Sequence, residues 1–294
     1  MERVAEAARG GNRNAALAVV VSGGDPESIV ELAEQELARA TAPRVHVPGQ
    51  MTFGAGLGRA AGLVTCLPED RREEFGRAMV SWAEDKEESP HNRYEALLAL
   101  RAIARSLADE ATVDLFEQVL PFAEGRRDVD IPTEVFPGAA SPLQRFRVSF
   151  GETSLWPAGL QAAAALARRD SQAVLVQEAA VTRMRDASEL EINSIAAALA
   201  SIPIQAMTLP IDLLSGHPSP WIRSLAAVAW IQRPGEPEAT GLRLAQDPSM
   251  HVRTAVAVNL RSEERFAVLR AVLAGDPRRS IRQRVATLDV NDSG

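Results

Sequence analysis

A short pattern occurs three times in the C-terminal third of the chain, at nearly equal spacing. Each copy has a proline and, four residues later, an apolar residue followed by an arginine. The copies are His217-Pro218 with Ile222-Arg223, Asp247-Pro248 with Val252-Arg253, and Asp276-Pro277 with Ile281-Arg282. The prolines lie 30 and then 29 residues apart. A fixed period of this size indicates stacked supersecondary units that bury their apolar faces on one another, and not one closed core.

Helix signals continue this period towards the N-terminus. Helix starts at intervals of 31, 30, 30 and 29 residues are marked by Pro157, Ser188, Pro218, Pro248 and Pro277. The helix opened by Pro157 is expected to reach Arg169, and a second set of helices is predicted near 171–183, 205–214, 236–246 and 263–274. Residues from 152 onwards thus form about five helical hairpins. Asp25-Pro26 and Ser89-Pro90 also mark helix starts, 64 residues apart, which predicts degenerate repeats in the first half.

The segment 125–151 interrupts the helical pattern. It contains several prolines and glycines and no amphipathic run, and loops this long inside compact structures are frequently functional. The chain is therefore predicted to comprise an N-terminal helical region (1–124), this loop insertion (125–151) and a repeat region (152–294). The candidate binding residues of the insertion are Arg145, Phe146, Arg147 and Phe150. The alternative is a loop whose aromatic side chains only hold it against the helices.

The Asp-Pro-x-x-x-Val-Arg pattern resembles a HEAT repeat. Its clearest form comprises Asp247, Pro248, Val252, Arg253, Ala255 and Val256. The 30-residue period resembles the short bacterial repeats of phycobilisome-lyase-type HEAT proteins. The resemblance implies an all-α protein, a right-handed α-solenoid of stacked antiparallel helical hairpins of the HEAT/armadillo-like kind. It also implies that the second helix of each hairpin lines a concave face, and that aspartates and arginines link neighbouring units in a ladder.

The residue types of the pattern support such a ladder. An aspartate at the N-cap with proline at the first helical position is expected to begin each second helix, and the following Val or Ile is expected to pack inwards. The neighbouring arginine can reach the aspartate or the carbonyls of the preceding unit. The predicted ladder residues are Asp247, Asp276, Arg223, Arg253 and Arg282. A ligand-binding role for the arginines is the alternative.

The sequence contains no pattern typical of catalysis or of a bound cofactor. Its single cysteine, Cys66, excludes an internal disulfide and a cysteine-rich zinc site. Its four histidines lack the spacing of a local metal site, and no nucleophile motif is present. The apolar run 15–21 is too short to cross a membrane. We therefore expect no catalytic residue, cofactor, metal or membrane partner, and a cytoplasmic location.

The favoured function is a noncatalytic scaffold that binds another protein or a peptide on its concave face. Trp221 and His251 are the candidate contacts, because both occupy the slot before the Ile/Val-Arg pair and should be partly exposed. Alternatively, Trp221 shields the gap between hairpins. Two other functions stay open: a nucleic-acid-binding protein resembling HEAT DNA glycosylases, with Trp221 and Trp230 facing the base, and a chromophore-lyase-like protein. The net charge of −7 disfavours nucleic acid.

Overall fold

The computed structural model of the chain describes residues 26–42, 56–126 and 154–291. Every regular element in these ranges is helical, which confirms the all-α prediction for this part of the chain. The helices are α1 (Pro26–Thr41), α2 (Leu57–Val64), α3 (Glu69–Glu84), α4 (Pro90–Ile103), α5 (Asp109–Ala123), α6 (Trp156–Leu166), α7 (Asp170–Met184), α8 (Glu189–Ser201), α9 (Ile211–Ser215), α10 (Pro220–Gln232), α11 (Glu238–Ala245), α12 (Met250–Asn259), α13 (Ala267–Ala274) and α14 (Arg279–Asn291). None of them is long and apolar enough to pass through a membrane.

Two of the predicted helix starts are confirmed by their capping hydrogen bonds. The Ser89 hydroxyl accepts the Asn92 N–H at the start of α4. At the start of α8, the Ser188 hydroxyl accepts the Glu191 N–H and the Glu191 carboxylate accepts the Ser188 N–H, which completes a capping box. Helix α1 begins at Pro26 as predicted, while Asp25 lies outside the described residues.

Three predicted helices are interrupted or end early, and the helices predicted to start at Pro218, Pro248 and Pro277 start two residues later, at Pro220, Met250 and Arg279. The helix expected over 205–214 is a 3-10 turn, Ile204–Ala206, followed by the short α9, because Pro210 disfavours helical geometry in the residue before it. The helix expected over 263–274 likewise divides into a 3-10 turn, Glu264–Phe266, and α13. Helix α6 ends at Leu166, short of Arg169. There the Gln172 side chain accepts the N–H groups of residues 168 and 169 and holds a turn in place of helix.

The chain divides into two compact units, residues 1–183 and 184–294. In the first unit, α1 packs on α2, α3 on α4, and α5 on α6. Alternate helices also pack on each other, so that α1, α3 and α5 are successive neighbours, as are α2, α4 and α6. Helices α5 and α6 flank the predicted insertion and pack directly on each other. The contact-defined boundary therefore falls inside the predicted region 152–294, and only residues 125 and 126 of the predicted insertion are described.

Helices α5 and α6 approach each other closely at Gly159. A Cβ atom placed on Gly159 would lie 2.6 Å from the Phe122 Cβ and 2.9 Å from the backbone nitrogen of Ala123. No side chain fits at Gly159, so the two helices approach at the distance that only glycine allows. Phe122 is fully buried in the same contact.

The second unit has a more regular contact pattern. The hairpin pairs are α9 with α10, α11 with α12, and α13 with α14. The second helices α8, α10, α12 and α14 are successive neighbours, and α9, α11 and α13 form another such series. Ile222, Val252 and Ile281 occupy the same position in successive second helices, and all three are buried. The prediction that this position packs inwards is confirmed.

Candidate functional site

The arginines and aspartates of the pattern form ion pairs between successive copies. Arg223 donates from Nε to Asp247 Oδ2 at 2.7 Å and from Nη2 to Oδ1 at 3.0 Å. Arg253 donates from Nε to Asp276 Oδ2 at 2.6 Å. We keep the name ladder for these four residues, because Arg282, the fifth predicted member, forms no ion pair among the described residues. Each arginine therefore contacts the aspartate of the following copy, and the prediction that it reaches the preceding one is wrong.

The direction of the ladder follows from a second set of hydrogen bonds. Arg223 Nη1 donates to the carbonyls of His217 and Pro218, at 2.9 and 2.6 Å, in the turn that precedes its own helix. Arg253 and Arg282 make the same pair of bonds, to the carbonyls of residues 247 and 248 and of residues 276 and 277. Because one edge of the guanidinium is held by its own turn, the Nε edge is left for the neighbouring copy.

The aspartates stabilise the turns and do not cap the helices. The Asp247 carboxylate accepts the Ser249 N–H at 2.8 Å, while Ser249 is itself the N-cap of α12. Asp276 accepts the Arg278 N–H in the same way, at 2.7 Å. The expected N-cap position of Asp247 is therefore wrong by two residues. The observed contact is an Asx-type turn, in which a side-chain oxygen bonds the backbone two residues on.

His217 takes the place of the aspartate in the first copy and makes the equivalent contact. Its Nδ1 accepts the Ser219 N–H at 3.0 Å, which requires a neutral ring without a proton on Nδ1. Burial lowers the pKa of His217, and the charge of Arg223 lowers it further. The substitution keeps the turn and omits the charge.

Electrostatics favours the ionised ladder. Burial alone would raise the pKa of the Asp247 carboxyl, but hydrogen bonds from Arg223 and from the Ser249 N–H outweigh it and hold that pKa below its usual value. The pKa of Asp276 is lowered for the same reasons, by Arg253 and by the Arg278 N–H. Both carboxylates are buried, so the ladder is a set of partly desolvated ion pairs.

Trp221 and His251 form an exposed aromatic pair beside the ladder. Their ring centroids are 4.5 Å apart with an interplanar angle of 33°. Trp221 is 47% exposed, and His251 is exposed as well. The expectation that both are partly exposed is confirmed. Since the Trp221 ring also contacts the following copy, it bridges two neighbouring helices while it presents a free face to solvent.

The aromatic pair continues into an apolar surface that was not among the sequence predictions. Residues at i+4 and i+7 lie on the same side of a helix. On α10 and α12 this side carries Trp221, Leu225, Val228, His251, Ala255 and Val258, which we call the Trp221 face. All six are exposed or partly exposed. Neither helix contains an acidic residue, and their only charged side chains are the ladder arginines. Helical spacing counted from Trp221 would have identified this surface.

Trp230 does not share that exposure. It is buried, and its Nε1 donates to the Pro237 carbonyl at 3.0 Å. A Cβ on Gly241 would lie 2.4 Å from its ring, so α11 packs closely against it. Trp230 therefore belongs to the core of this hairpin, and the base-facing role considered for it is wrong. The other candidate contacts, Arg145, Phe146, Arg147 and Phe150, lie outside the described residues.

A groove is lined by residues of α9, of α11 and of the turn before α12. Its lining includes Ser215, Leu242, Arg243, Gln246, Asp247 and Pro248. Of its charged groups, Asp247 is held by Arg223, and Arg243 donates to the Ser215 hydroxyl. Within the described ranges, no three histidine, cysteine, aspartate or glutamate side chains come together in a way that could hold a metal ion.

Comparison with known proteins gives no family assignment. No protein-family model matches the chain, and no curated protein matches it.

Proposed function

We propose that the chain is a protein-interaction scaffold, built as a right-handed α-solenoid of HEAT-like hairpins, which binds a protein segment on the Trp221 face. Within each unit, alternate helices are neighbours, which is the contact pattern that stacked hairpins require. The ladder supports the same interpretation, because identical atoms link successive copies at a fixed period.

The observation that carries the binding proposal is the exposed Trp221–His251 pair on a surface without unpaired charges. Burying Trp221 against a partner removes a large apolar area from water at a low cost in side-chain entropy. The Trp221 face adds aliphatic side chains on both helices. The expected ligand is thus a segment of another protein that contributes two or three apolar side chains at helical or extended spacing.

Selection of peptides tests this proposal. A random peptide library is selected against the full chain, and the affinities of the enriched peptides are measured with wild type, Trp221→Ala and Leu213→Ala. Leu213 is the matched control, because it is 43% exposed in the same unit but lies on α9. We expect at least tenfold weaker binding with Trp221→Ala, about 1.4 kcal/mol or more, and unchanged binding with Leu213→Ala.

Val258→Asp gives an independent reading of the same surface. It places a charge at a half-exposed position of the Trp221 face. Unlike Trp221→Ala, it leaves the aromatic ring of Trp221 in place. We expect it to weaken the same peptides, while unfolding midpoints show that each variant stays folded. If every enriched peptide binds Trp221→Ala and Val258→Asp as tightly as wild type, this face is not the binding surface.

A further inference from the structure

Three copies of the pattern hold an arginine in the same way, but among the described residues a carboxylate is bonded to only two of those arginines. Arg223 forms an ion pair with Asp247, and Arg253 forms one with Asp276. Arg282 makes the same two bonds to its own turn, at 2.6 and 3.0 Å. Among the described residues no carboxylate lies against its Nε edge, and Arg282 is exposed where the other two arginines are partly buried.

We propose that Arg282 is a binding site for an aspartate carboxylate carried on a turn of a partner protein. The site is separate from the Trp221 face and stands whether or not that face binds a peptide. Its chemistry is defined by the two filled copies, in which the guanidinium donates from Nε, and in the first copy also from Nη2, to one carboxylate.

The guanidinium of Arg282 is oriented before any partner arrives. The carbonyls of Asp276 and Pro277 fix its Nη1 edge. Asp276 is in turn buried and bonded to Arg253, so the turn that holds Arg282 is itself held by the ladder. A preoriented fork loses little side-chain entropy on binding and matches the two oxygens of a carboxylate.

The charges around Arg282 favour an acidic partner. Arg278, Arg279 and Arg284 are also exposed, and among the described side chains none of the four arginines forms an ion pair. An aspartate on a turn fits better than a nucleic-acid phosphate. The partners of Arg223 and Arg253 are both aspartates, and each of these aspartates also accepts a backbone N–H in its own turn.

NMR of the arginine side chains tests the site directly. The probe is the peptide acetyl-Ala-Gln-Asp-Pro-Ser-Met-amide, which copies residues 245–250, and the Nε–Hε resonances of the full chain are followed during its titration. We expect a saturable shift of Arg282 with the aspartate peptide and at least a tenfold weaker response with asparagine in its place. The resonances of Arg223 and Arg253 should not shift, because these arginines are already paired with Asp247 and Asp276.

Two matched variants distinguish binding by the planar guanidinium of Arg282 from attraction by its positive charge alone. Arg282→Lys keeps the charge and loses the fork, so we expect at least tenfold weaker peptide binding, whereas Arg279→Lys on the same helix should bind as wild type does. Equal weakening by both variants, or an equal shift of Arg279 and Arg282, would reduce the site to a diffuse basic patch. Competition by inorganic phosphate or single-stranded DNA at lower concentration than the peptide would overturn the choice of a carboxylate. Concentration-dependent self-association that Arg282→Lys abolishes would replace the partner protein with a second copy of the chain.

Discussion

Different kinds of contact join the helices inside each of the two units. In the second unit the same atoms of arginine and aspartate link successive copies, at Arg223–Asp247 and Arg253–Asp276. In the first unit the polar links between helices are mixed: they include two Arg–Glu ion pairs, Arg59–Glu36 and Arg71–Glu34, and bonds from side chains to backbone carbonyls. The Arg93 Nε donates to the Ala83 carbonyl at 2.8 Å. The Trp82 Nε1 donates to the Ala40 carbonyl, also at 2.8 Å. The difference explains why only one half of the sequence has an evident period.

Apolar packing leaves little trace in a sequence, because many combinations of side chains fill the same space. A hydrogen-bonded ion pair requires particular residue types at both of its positions. When the pair recurs at each repeat, those residue types recur at a fixed spacing, and the period is visible in the sequence. The first unit depends on contacts such as that of Gly159 with Phe122, which occurs once. We therefore expect the first unit to respond most to changes of volume and the second to changes of charge.

The largest effect is expected from Gly159→Ala in the first unit. The new methyl group would lie within 3 Å of Phe122 and of the Ala123 backbone, and the backbone of α5 cannot move aside without breaking its own packing. We expect a loss of about 3 kcal/mol in the free energy of unfolding, at the upper end for overpacking. Urea unfolding measures it.

Gly58→Ala is the matched control for that experiment. A Cβ on Gly58 meets no atom within 4 Å, and alanine is the better helix former. This variant should therefore be as stable as wild type or more stable. If Gly159→Ala is also neutral, the close approach of α5 and α6 does not limit the stability of the first unit.

In the second unit, Asp276→Ala should cost about 2 kcal/mol, because it leaves Arg253 partly buried without its carboxylate and removes the acceptor of the Arg278 N–H. Asp212→Ala is the control. Asp212 is 90% exposed and lies 3.8 Å from Arg243, and such surface pairs contribute less than about 1 kcal/mol. Equal unfolding free energies for the two variants would show that the ladder is not a stabilising element.

A smaller effect is expected from the protonation of His217. Because the pKa of His217 is lowered in the folded state, the unfolded chain binds this proton more readily, and stability must rise with pH. The contribution is present above the usual histidine pKa of about 6.5 and is lost as the pH falls below it. Protonation also removes the Nδ1 acceptor of the Ser219 N–H.

The variant His217→Asp tests whether His217 causes this pH dependence of stability. An aspartate can accept the Ser219 N–H as Asp247 accepts that of Ser249, and it stays ionised between pH 5 and 7. The variant should therefore lose the part of the pH dependence of the urea midpoint that arises between about pH 5 and 7. An unchanged dependence in that range would assign it to a group other than His217.

Sequence reasoning identified the helical class, the caps at Ser89 and Ser188, and the inward packing of Ile222, Val252 and Ile281, because each of these depends on local spacing. It placed Asp247 at the N-cap, since Asp-Pro commonly begins a helix. Whether the carboxylate caps the helix or closes the preceding turn depends on where the neighbouring arginine lies, which is a tertiary fact.

The direction of the ladder was hidden for a similar reason. The residue types at positions 223 and 247 permit contact with either neighbour, and the bonds of Nη1 to its own turn decide between them. The boundary of the compact units was likewise not visible. Proline and glycine mark the segment 125–151, but the fit of Gly159 against Phe122 joins its two flanks, and no local signal records that contact.

The most direct test of the ladder is a double-mutant cycle on Arg253 and Asp276. Unfolding free energies are measured by urea for wild type, Arg253→Met, Asp276→Ala and the double variant, with Arg243→Met and Asp212→Ala as the exposed reference cycle. A ladder that joins successive repeats predicts a coupling energy of about 1.5 kcal/mol or more for Arg253 and Asp276, and near zero for the reference pair. Additivity within about 0.5 kcal/mol for Arg253 and Asp276 would contradict the account, because the ion pair would then contribute nothing to the joining of successive repeats.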